Sequence, residues 1–394
     1  MSVNGKKVLV LMSGGVDSSV SAGILHTAGY RVCGVYLKLW QAGDGRQQAA
    51  IGEECWAKEL RDAARAAAHF GIPFQVWDVT EDYKARVLQD FYAQYAVGRT
   101  PNPDVLCNSE IKFGVALDRA LREGYDYVAT GHYARIVCEQ RAKSKEQRAI
   151  EPYALRPTLY AGVDANKDQS YFLWRLKQDQ LRHVLFPVGD YTKPQVRALA
   201  EKFGLHNAGK KDSQGVCFLG KIELKEFLKG EVAEQAGPIY DVYGKLLGTH
   251  DGLAHFTVGQ REGIGIGGSG PYFVIDKAQT INALIVVHES EEQDWRTVSC
   301  QVGELNWSAV PPVLVARVSA RTRYRASLCE AQIAVNSTHA EVYFDMPQWA
   351  VTPGQSIVFY EGDRVLGGGV IEKVKLTSSL PNWSNFAPAV QNSI

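Results

Sequence analysis

The chain lacks the marks of several large protein classes. Neither charge is in excess: Lys+Arg and Asp+Glu both number 43 in 394 residues, so no global field draws it to a polyanion, and such a site must come from local clustering. Its seven cysteines (33, 55, 107, 138, 217, 300 and 329) are odd in number with no Cys-x-x-Cys pair. That disfavours a disulfide framework or a zinc knuckle and fits a reducing cytoplasm. No stretch is apolar for long enough to cross a bilayer, and Met1-Ser-Val-Asn-Gly-Lys-Lys leads straight into an apolar run without a signal core. A cytoplasmic protein with no membrane partner is expected. No His/Asp/Glu group has metal-ligand spacing either, so a metal would arrive with a nucleotide.

What is present is a large apolar fraction, 45% of residues, enough for two or three domains. Up to about residue 131 the apolar runs Val8 to Met12, Val32 to Leu37, Phe74 to Val79 and Tyr127 to Thr130 alternate with helical stretches near 57–69, 81–95 and 111–121. This spacing predicts an α/β domain with a doubly wound parallel sheet, Thr80 capping the second of those helices. Residues 138 to 152 are charged and unpatterned and read as an exposed excursion. A helix is predicted from about Thr192 to Phe203, with Pro194 in its first turn. Beyond Gly220 the pattern changes to glycines and short alternating segments: turns over 259–270, then 272–275 and 284–287, then β-rich stretches at 313–325, 329–335, 340–344, 356–360 and 365–374. These predict a small linker domain and a C-terminal β-barrel.

The first apolar run ends in Ser13-Gly14-Gly15-Val16-Asp17-Ser18-Ser19 and opens into an amphipathic pattern. Two glycines let the backbone approach an anion, and the following helix start presents its amides and positive dipole end, so this turn reads as a phosphate site. It is neither a Walker loop nor a dinucleotide fingerprint, and no lysine follows Gly15. Cys107 follows a proline-rich loop, Gly98-Arg-Thr-Pro-Asn-Pro-Asp-Val-Leu-Cys, ahead of a helix expected to begin near 108–110, a setting that lowers a thiol pKa. Asp104 could act as acid or base, or simply cap the loop. Cys217 lies near Lys210 and Lys211, but Val216, Phe218 and Leu219 suit a packed strand equally well. His132 ends a strand facing the phosphate loop and could touch a ligand; His26, His69, His183, His206 and His288 have no such setting. Arg321, Arg323 and Arg325 are expected on one face of a strand, with Tyr324 opposite, as a solvated edge.

The Ser-Gly-Gly-Val-Asp-Ser-Ser turn resembles that of the PP-loop pyrophosphatases, which split ATP between its α and β phosphates. The segments Gly98-Arg-Thr-Pro-Asn-Pro-Asp-Val-Leu-Cys-Asn, Ala129-Thr-Gly-His-Tyr, Asn166-Lys-Asp-Gln-Ser-Tyr-Phe-Leu, Lys211-Asp-Ser-Gln-Gly-Val-Cys-Phe, Thr257-Val-Gly-Gln-Arg, Thr322-Arg-Tyr-Arg and Val351-Thr-Pro-Gly-Gln follow in order over nearly the whole chain. Together they are similar to the tRNA-specific 2-thiouridylases. The resemblance implies a PP-loop ATP-binding catalytic domain over 1–219, a central linker domain over 220–288 and a β-barrel over 289–394. It implies that Leu11, Met12, Ser13, Gly14, Gly15, Val16, Asp17 and Ser18, with Leu37 and Gly131, hold ATP, which brings its Mg2+ with it. Asn102, Pro103 and Asp104 would meet the target base, and His132, Lys167, Asp168, Gln169, Arg323, Tyr324 and Gln355 would touch tRNA.

By the same resemblance Cys217 would carry a persulfide and Cys107 would be its catalytic partner. A sulfur-relay protein or a cysteine desulfurase would donate the sulfur, and a monomer is expected. One departure is Leu37-Lys-Leu-Trp40, where the family often shows Met-Lys-Asn-Trp; it removes one polar contact near the adenine. The rival readings are a PP-loop ligase or amidotransferase acting on a small molecule, and an RNA-binding barrel with a degenerate nucleotide domain.

Overall fold

Val8, Leu9 and Val10 have no solvent exposure, because the first strand, β1 (Lys7–Leu11), runs through the middle of a sheet covered on both sides. The computed structural model describes residues 5–39, 53–139, 156–211, 224–267, 270–308 and 315–381. Strand β1 pairs in parallel with β2 (Arg31–Lys38) and β4 (Tyr127–Ala129), β2 with β3 (Phe74–Asp78), and β4 with a two-residue β7 (Val184–Leu185). The order is β3-β2-β1-β4-β7. Sequence periodicity marks the first four; β7 is too short to show a period. Alternation along β1 splits the core. Val8 and Val10 pack with Val20 and Leu25 of the first helix (Val16–Thr27), with Ala63, Ala66 and Ala67 of the second (Glu53–His69) and with Val196 of Lys193–Lys202. Leu9 and Leu11 face Phe113, Leu117 and Trp174 on the other side. Crossovers leave β1 and β4 in opposite directions, so a crevice opens beyond their carboxyl ends, where open α/β sheets bind ligands.

Two helical stretches widen into π-type turns. One passes through Thr80–Tyr83, Lys84–Leu88 and Gln89–Ala96, and the other through Pro103–Leu106, Cys107–Val115 and Ala116–Arg122; the π segments are Lys84–Leu88 and Cys107–Val115. Such turns recur at functional sites. The cap expected at Thr80 is moved: Thr80 is already helical, and Asp78 Oδ1 accepts its N–H at 3.1 Å. The second stretch begins at Pro103 rather than near 108–110, because proline's fixed φ and missing donor suit a first turn.

Strand β5 (Ala134–Glu139) forms a hairpin with β6 (Arg156–Ala161), so Cys138 and Glu139 belong to a strand and not to the expected excursion; residues 140–155 lie outside those described. The middle segment is a sheet ordered β10-β11-β8-β9, from β8 (Gly237–Asp241), β9 (Leu246–His250), β10 (Tyr272–Ala278) and β11 (Ala283–His288). The C-terminal strands are β12 (Thr297–Trp307), β13 (Val315–Arg321), β14 (Cys329–Val335), β15 (Ala340–Gln348), β16 (Ser356–Glu361) and β17 (Arg364–Leu376). They run β12-β15-β14-β13-β16-β17, and pairing of β12 with β17 closes the barrel. Strand β12 escapes the sequence pattern because its pairing with β17 shifts register around Gly303 and Asn306, with Glu304 at φ +48°. The β5–β6 hairpin of the α/β half joins the barrel where Tyr160 pairs with Arg364.

Candidate active site

Beyond β1 the chain turns through Ser13, Gly14 and Gly15 into Val16–Thr27. Gly14 holds φ +74°, and glycine at the N-cap puts no side chain over the first helical amides. Those amides have no intrahelical acceptor and remain for an anion. The serines brace the turn: Ser13 N–H donates to Ser18 Oγ at 3.2 Å, and Ser18 and Ser19 Oγ donate to Gly15 O at 3.2 and 2.9 Å. Asp17 is tied up by other side chains. Its carboxylate takes both bonds of Lys193 Nζ, at 2.8 and 2.9 Å, and the hydroxyl of Tyr133 at 2.8 Å.

The other flank is polar. Asn207 Nδ2 donates to Gly14 O at 3.2 Å and to Ser19 Oγ at 3.1 Å. Lys210 Nζ lies 3.2 Å from Gly14 O and 2.8 Å from Asp62 Oδ2, and His206 Nε2 is 3.4 Å from the other Asp62 oxygen. Burial would push the Asp62 carboxyl up, but the bonds from Lys210 and His206 outweigh it and hold it low. Burial pushes neighbouring Glu59 up, against the pull of Lys210. Sequence reasoning missed Lys193, Tyr133, Asn207 and Asp62. Only Tyr133, beside Gly131-His132, stood in a motif that could have flagged it.

The end of β4 closes against the same helix. A Cβ on Gly131 would stand 2.7 Å from Ser18 N and 2.8 Å from Asp17 C, so only glycine lets these elements meet. His132 is buried, its Nδ1 2.7 Å from Thr130 Oγ1 and its ring against Phe113 and Phe186. Burial, with the charge of Lys112, drives its pKa well below the usual range and leaves a neutral imidazole. Lys112 and Phe113 belong to the π segment that starts at Cys107, so the phosphate loop, Gly131-His132 and the Cys107 helix form one continuous wall. Leu37, at the end of β2, packs against both the sheet core and the cluster around Cys107.

Cys107 contradicts the low thiol pKa expected of it. It is 1% exposed, among Val79, Tyr83, Phe91, Ile111 and Phe227. Burial raises its pKa, Lys112 opposes and Asp104 adds to the rise. The expectation failed because the helix starts four residues before Cys107, so the thiol faces the interior instead of the helix end. Its alkylation by iodoacetamide, followed by peptide-resolved mass spectrometry, should climb by about tenfold per pH unit from pH 7 to beyond pH 9. A plateau below pH 8 would contradict a raised pKa.

The loop before Cys107 is held from two sides. Gln355 Nε2 donates to Thr100 O at 2.9 Å and Pro101 O at 3.1 Å, Thr100 N–H donates to Pro353 O at 3.1 Å, and Thr100 Oγ1 is 3.3 Å from Thr257 Oγ1 of the middle segment. The barrel and the middle sheet thus jointly fix the backbone on which Asn102, Pro103 and Asp104 sit. Gln355→Ala should free the loop locally, lowering protection of the Thr100 amide in hydrogen exchange by about 1–3 kcal/mol while β1 amides stay protected. Equal loss at both places would mean global destabilisation instead.

The arginine row is also corrected. Strand β13 ends at Arg321, and Arg325 sits at φ +64°, so the three side chains do not share a face. Arg321 Nη1 pairs with Asp168 Oδ2 at 2.9 Å, and Arg323 Nη2 donates to Val258 O at 2.5 Å and Thr352 Oγ1 at 2.8 Å. Asp168, 3% exposed, also accepts from Gly162 N, Ser170 N and Ser170 Oγ. Gln169 Oε1 accepts from Tyr133 N at 3.1 Å. These side chains join the hairpin, the middle segment and the barrel. Tyr324 stacks obliquely on Phe172, ring centroids 4.5 Å apart, and, like Lys167, is half-exposed. Cys217 lies outside the described residues. Among the described residues no group of three His, Cys, Asp or Glu could hold a metal, and no helix is long and apolar enough to cross a membrane.

Three successive stretches of the chain match family models. Residues 6–221 match the family described as tRNA methyl transferase HUP domain, 225–288 a tRNA methyl transferase PRC-barrel domain and 297–371 an aminomethyltransferase β-barrel domain. The chain is 42% identical over 383 residues to a tRNA-specific 2-thiouridylase MnmA of Herminiimonas arsenicoxydans, spanning 94% of this chain and 99% of that one. It is 43% identical over 372 residues to the protein of that name from Neisseria meningitidis serogroup C strain FAM18, spanning 94% and 96%. Solved structures resemble it more distantly: a 4-thiouridine synthetase in complex with RNA and bound ATP is 19% identical, covers 58% of this chain and 50% of that one, and superposes with a TM-score of 0.33.

Proposed function

Because the chain belongs to the tRNA-specific 2-thiouridylase family, we propose that it replaces the C2 oxygen of the wobble uridine of tRNA by sulfur at the expense of ATP. The observation that carries this reading is the continuous wall from the phosphate loop through Gly131-His132 to the Cys107 helix, beyond the carboxyl ends of β1 and β4. The uncapped amides after Gly15, the left-handed Gly14 and the close approach of Gly131 suit a nucleotide's phosphates, with Leu37 against the base. Mg2+ would enter with the nucleotide. ATP, when bound, would supply the activation: an adenylyl group passes to the uracil C2 oxygen with release of pyrophosphate, so that this oxygen can leave as part of AMP.

The protein's own residues then do the rest. Asn102, Pro103 and Asp104 present a rigid edge to the base, which must leave its stack to reach it. The terminal sulfur of a Cys217 persulfide attacks C2, and the C2–O bond breaks as AMP departs. Cys107, as thiolate, next attacks Cys217 Sγ, leaving 2-thiouridine and a Cys107–Cys217 disulfide that external thiols reduce; alternatively Cys107 releases sulfide for the attack. Half-exposed Lys167 and Tyr324 suit direct contact with tRNA, and neutral His132 offers an imidazole rather than a cation. Asp168, Gln169, Arg323 and Gln355 serve the same surface by fixing its shape. A sulfur-relay protein or a cysteine desulfurase would load Cys217, the enzyme working as a monomer in the cytoplasm.

The test is mass analysis of tRNA incubated with protein, ATP, magnesium and sulfide. One uridine should gain about 16 mass units, and pyrophosphate release should require tRNA. No gain in mass, or release indifferent to tRNA, overturns the reading in favour of a small-molecule ligase.

A further inference from the structure

A triphosphate carries more negative charge than a helix N-terminus, worth about half a unit charge, can balance. The loop's own sequence adds no lysine after Gly15, but the fold brings one in from 196 residues away. Of the two ammonium groups bonded to the loop among the described residues, Lys193 is committed: its side chain is 10% exposed and both Asp17 oxygens hold it. Lys210 is differently placed. Its side chain is 26% exposed, one of its bonds ends on the loop carbonyl of Gly14, and its carboxylate partner, Asp62, is shared with His206. Asn207 Nδ2 donates to that same carbonyl, so Gly14 O keeps a donor if Lys210 moves. Among the described residues, removing Lys210 would leave the loop facing Glu59 and Asp62 with Lys193 already held by Asp17. A lysine, a compact charge on a flexible stem, suits such a movement better than an arginine fork.

We propose that Lys210 is the phosphate-binding cation of this loop, parked on Asp62 and Gly14 O in the free enzyme and transferred to the outer phosphates when the nucleotide binds. This rests on the ATP reading above and adds to it the residue that distinguishes a triphosphate from a nucleoside. The experiment is calorimetric titration of the full chain with α,β-methylene-ATP plus magnesium and, separately, with adenosine. Lys210→Gln should weaken the triphosphate by about thirtyfold and leave adenosine unchanged, in line with loss of a charge-assisted hydrogen bond. Lys210→Arg should recover most of the loss. Asp62→Asn, which releases the lysine, should bind the triphosphate at least as tightly as wild type, and these two variants carry the comparison however Lys210→Gln folds. Equal weakening of both ligands in Lys210→Gln, or a loss in Asp62→Asn matching it, would make the pair a structural clamp and overturn the inference. Wild-type protein that binds no triphosphate would overturn the ATP reading and this inference together; wild-type binding unchanged in Lys210→Gln overturns this inference alone.

Discussion

Replacing Cys107 with serine should lower tRNA thiolation by at least about a thousandfold while leaving nucleotide binding intact, since a hydroxyl neither ionises nor exchanges with a persulfide at neutral pH. The site explains why both halves of that result are expected. Cys107 sits among Val79, Tyr83, Phe91 and Ile111, one wall away from the phosphate loop and with no bond to it. Serine fills almost the same space, so the cost is that of burying one hydroxyl, about 1–3 kcal/mol, which a domain of this size tolerates. Thiolation is measured by mass analysis of the tRNA and binding by titration with a non-hydrolysable nucleotide. Cys217→Ser should behave alike. Full thiolation in either variant would remove the two-thiol mechanism. The raised thiol pKa adds a constraint: the group is protonated in the free protein, so substrate binding must bring it closer to a cation or expose it before it can attack. Lys112, whose charge already opposes the rise, is the cation of the same π segment.

Gly14→Ala should damage stability and nucleotide binding together. Gly14 combines φ +74° with a backbone approach so close that the new methyl would overlap the Glu59 carbonyl oxygen, with the carbonyl carbon at 2.9 Å. Left-handed strain and overpacking against an immovable helix backbone add to about 2–5 kcal/mol. Relief requires the loop to move off Glu53–His69, which also misdirects the amides after Gly15, so thermal stability and nucleotide affinity should fall together. Gly124→Ala is the matched comparison. It shares a left-handed φ, +80°, but a methyl there meets nothing within 4 Å, so it should cost only about 1 kcal/mol and leave affinity unchanged. If the two variants lose stability equally, contact with Glu59 is irrelevant and only the backbone angle matters.

The sequence was readable wherever function depends on consecutive residues. Hydrophobic runs gave β1 to β4, Pro194 after Thr192 gave a helix start, and Ser13 to Ser19 gave a phosphate turn, because strand period, cap chemistry and glycine geometry are local properties. The order of motifs along the chain pointed to the family that identity over 94% of its length bears out. What depends on distant pairing was not readable. Whether Cys107 is ionised follows from the side chains folded over it, and a helix start misplaced by four residues turned a reactive setting into a buried one. Arg321, Arg323 and Arg325 alternate in sequence, but the end of β13 breaks the alternation and sends two of them to Asp168 and Val258. Asp17 lies inside the phosphate turn, but that Lys193 and Tyr133 hold its carboxylate is visible only in the fold. The sequence by itself therefore determined the first four strands, the phosphate turn and the kinship. Only the tertiary structure decided which charges are spent on one another and which remain for a ligand, because electrostatic pairing and desolvation depend on distances of a few ångströms between residues that the chain separates by hundreds.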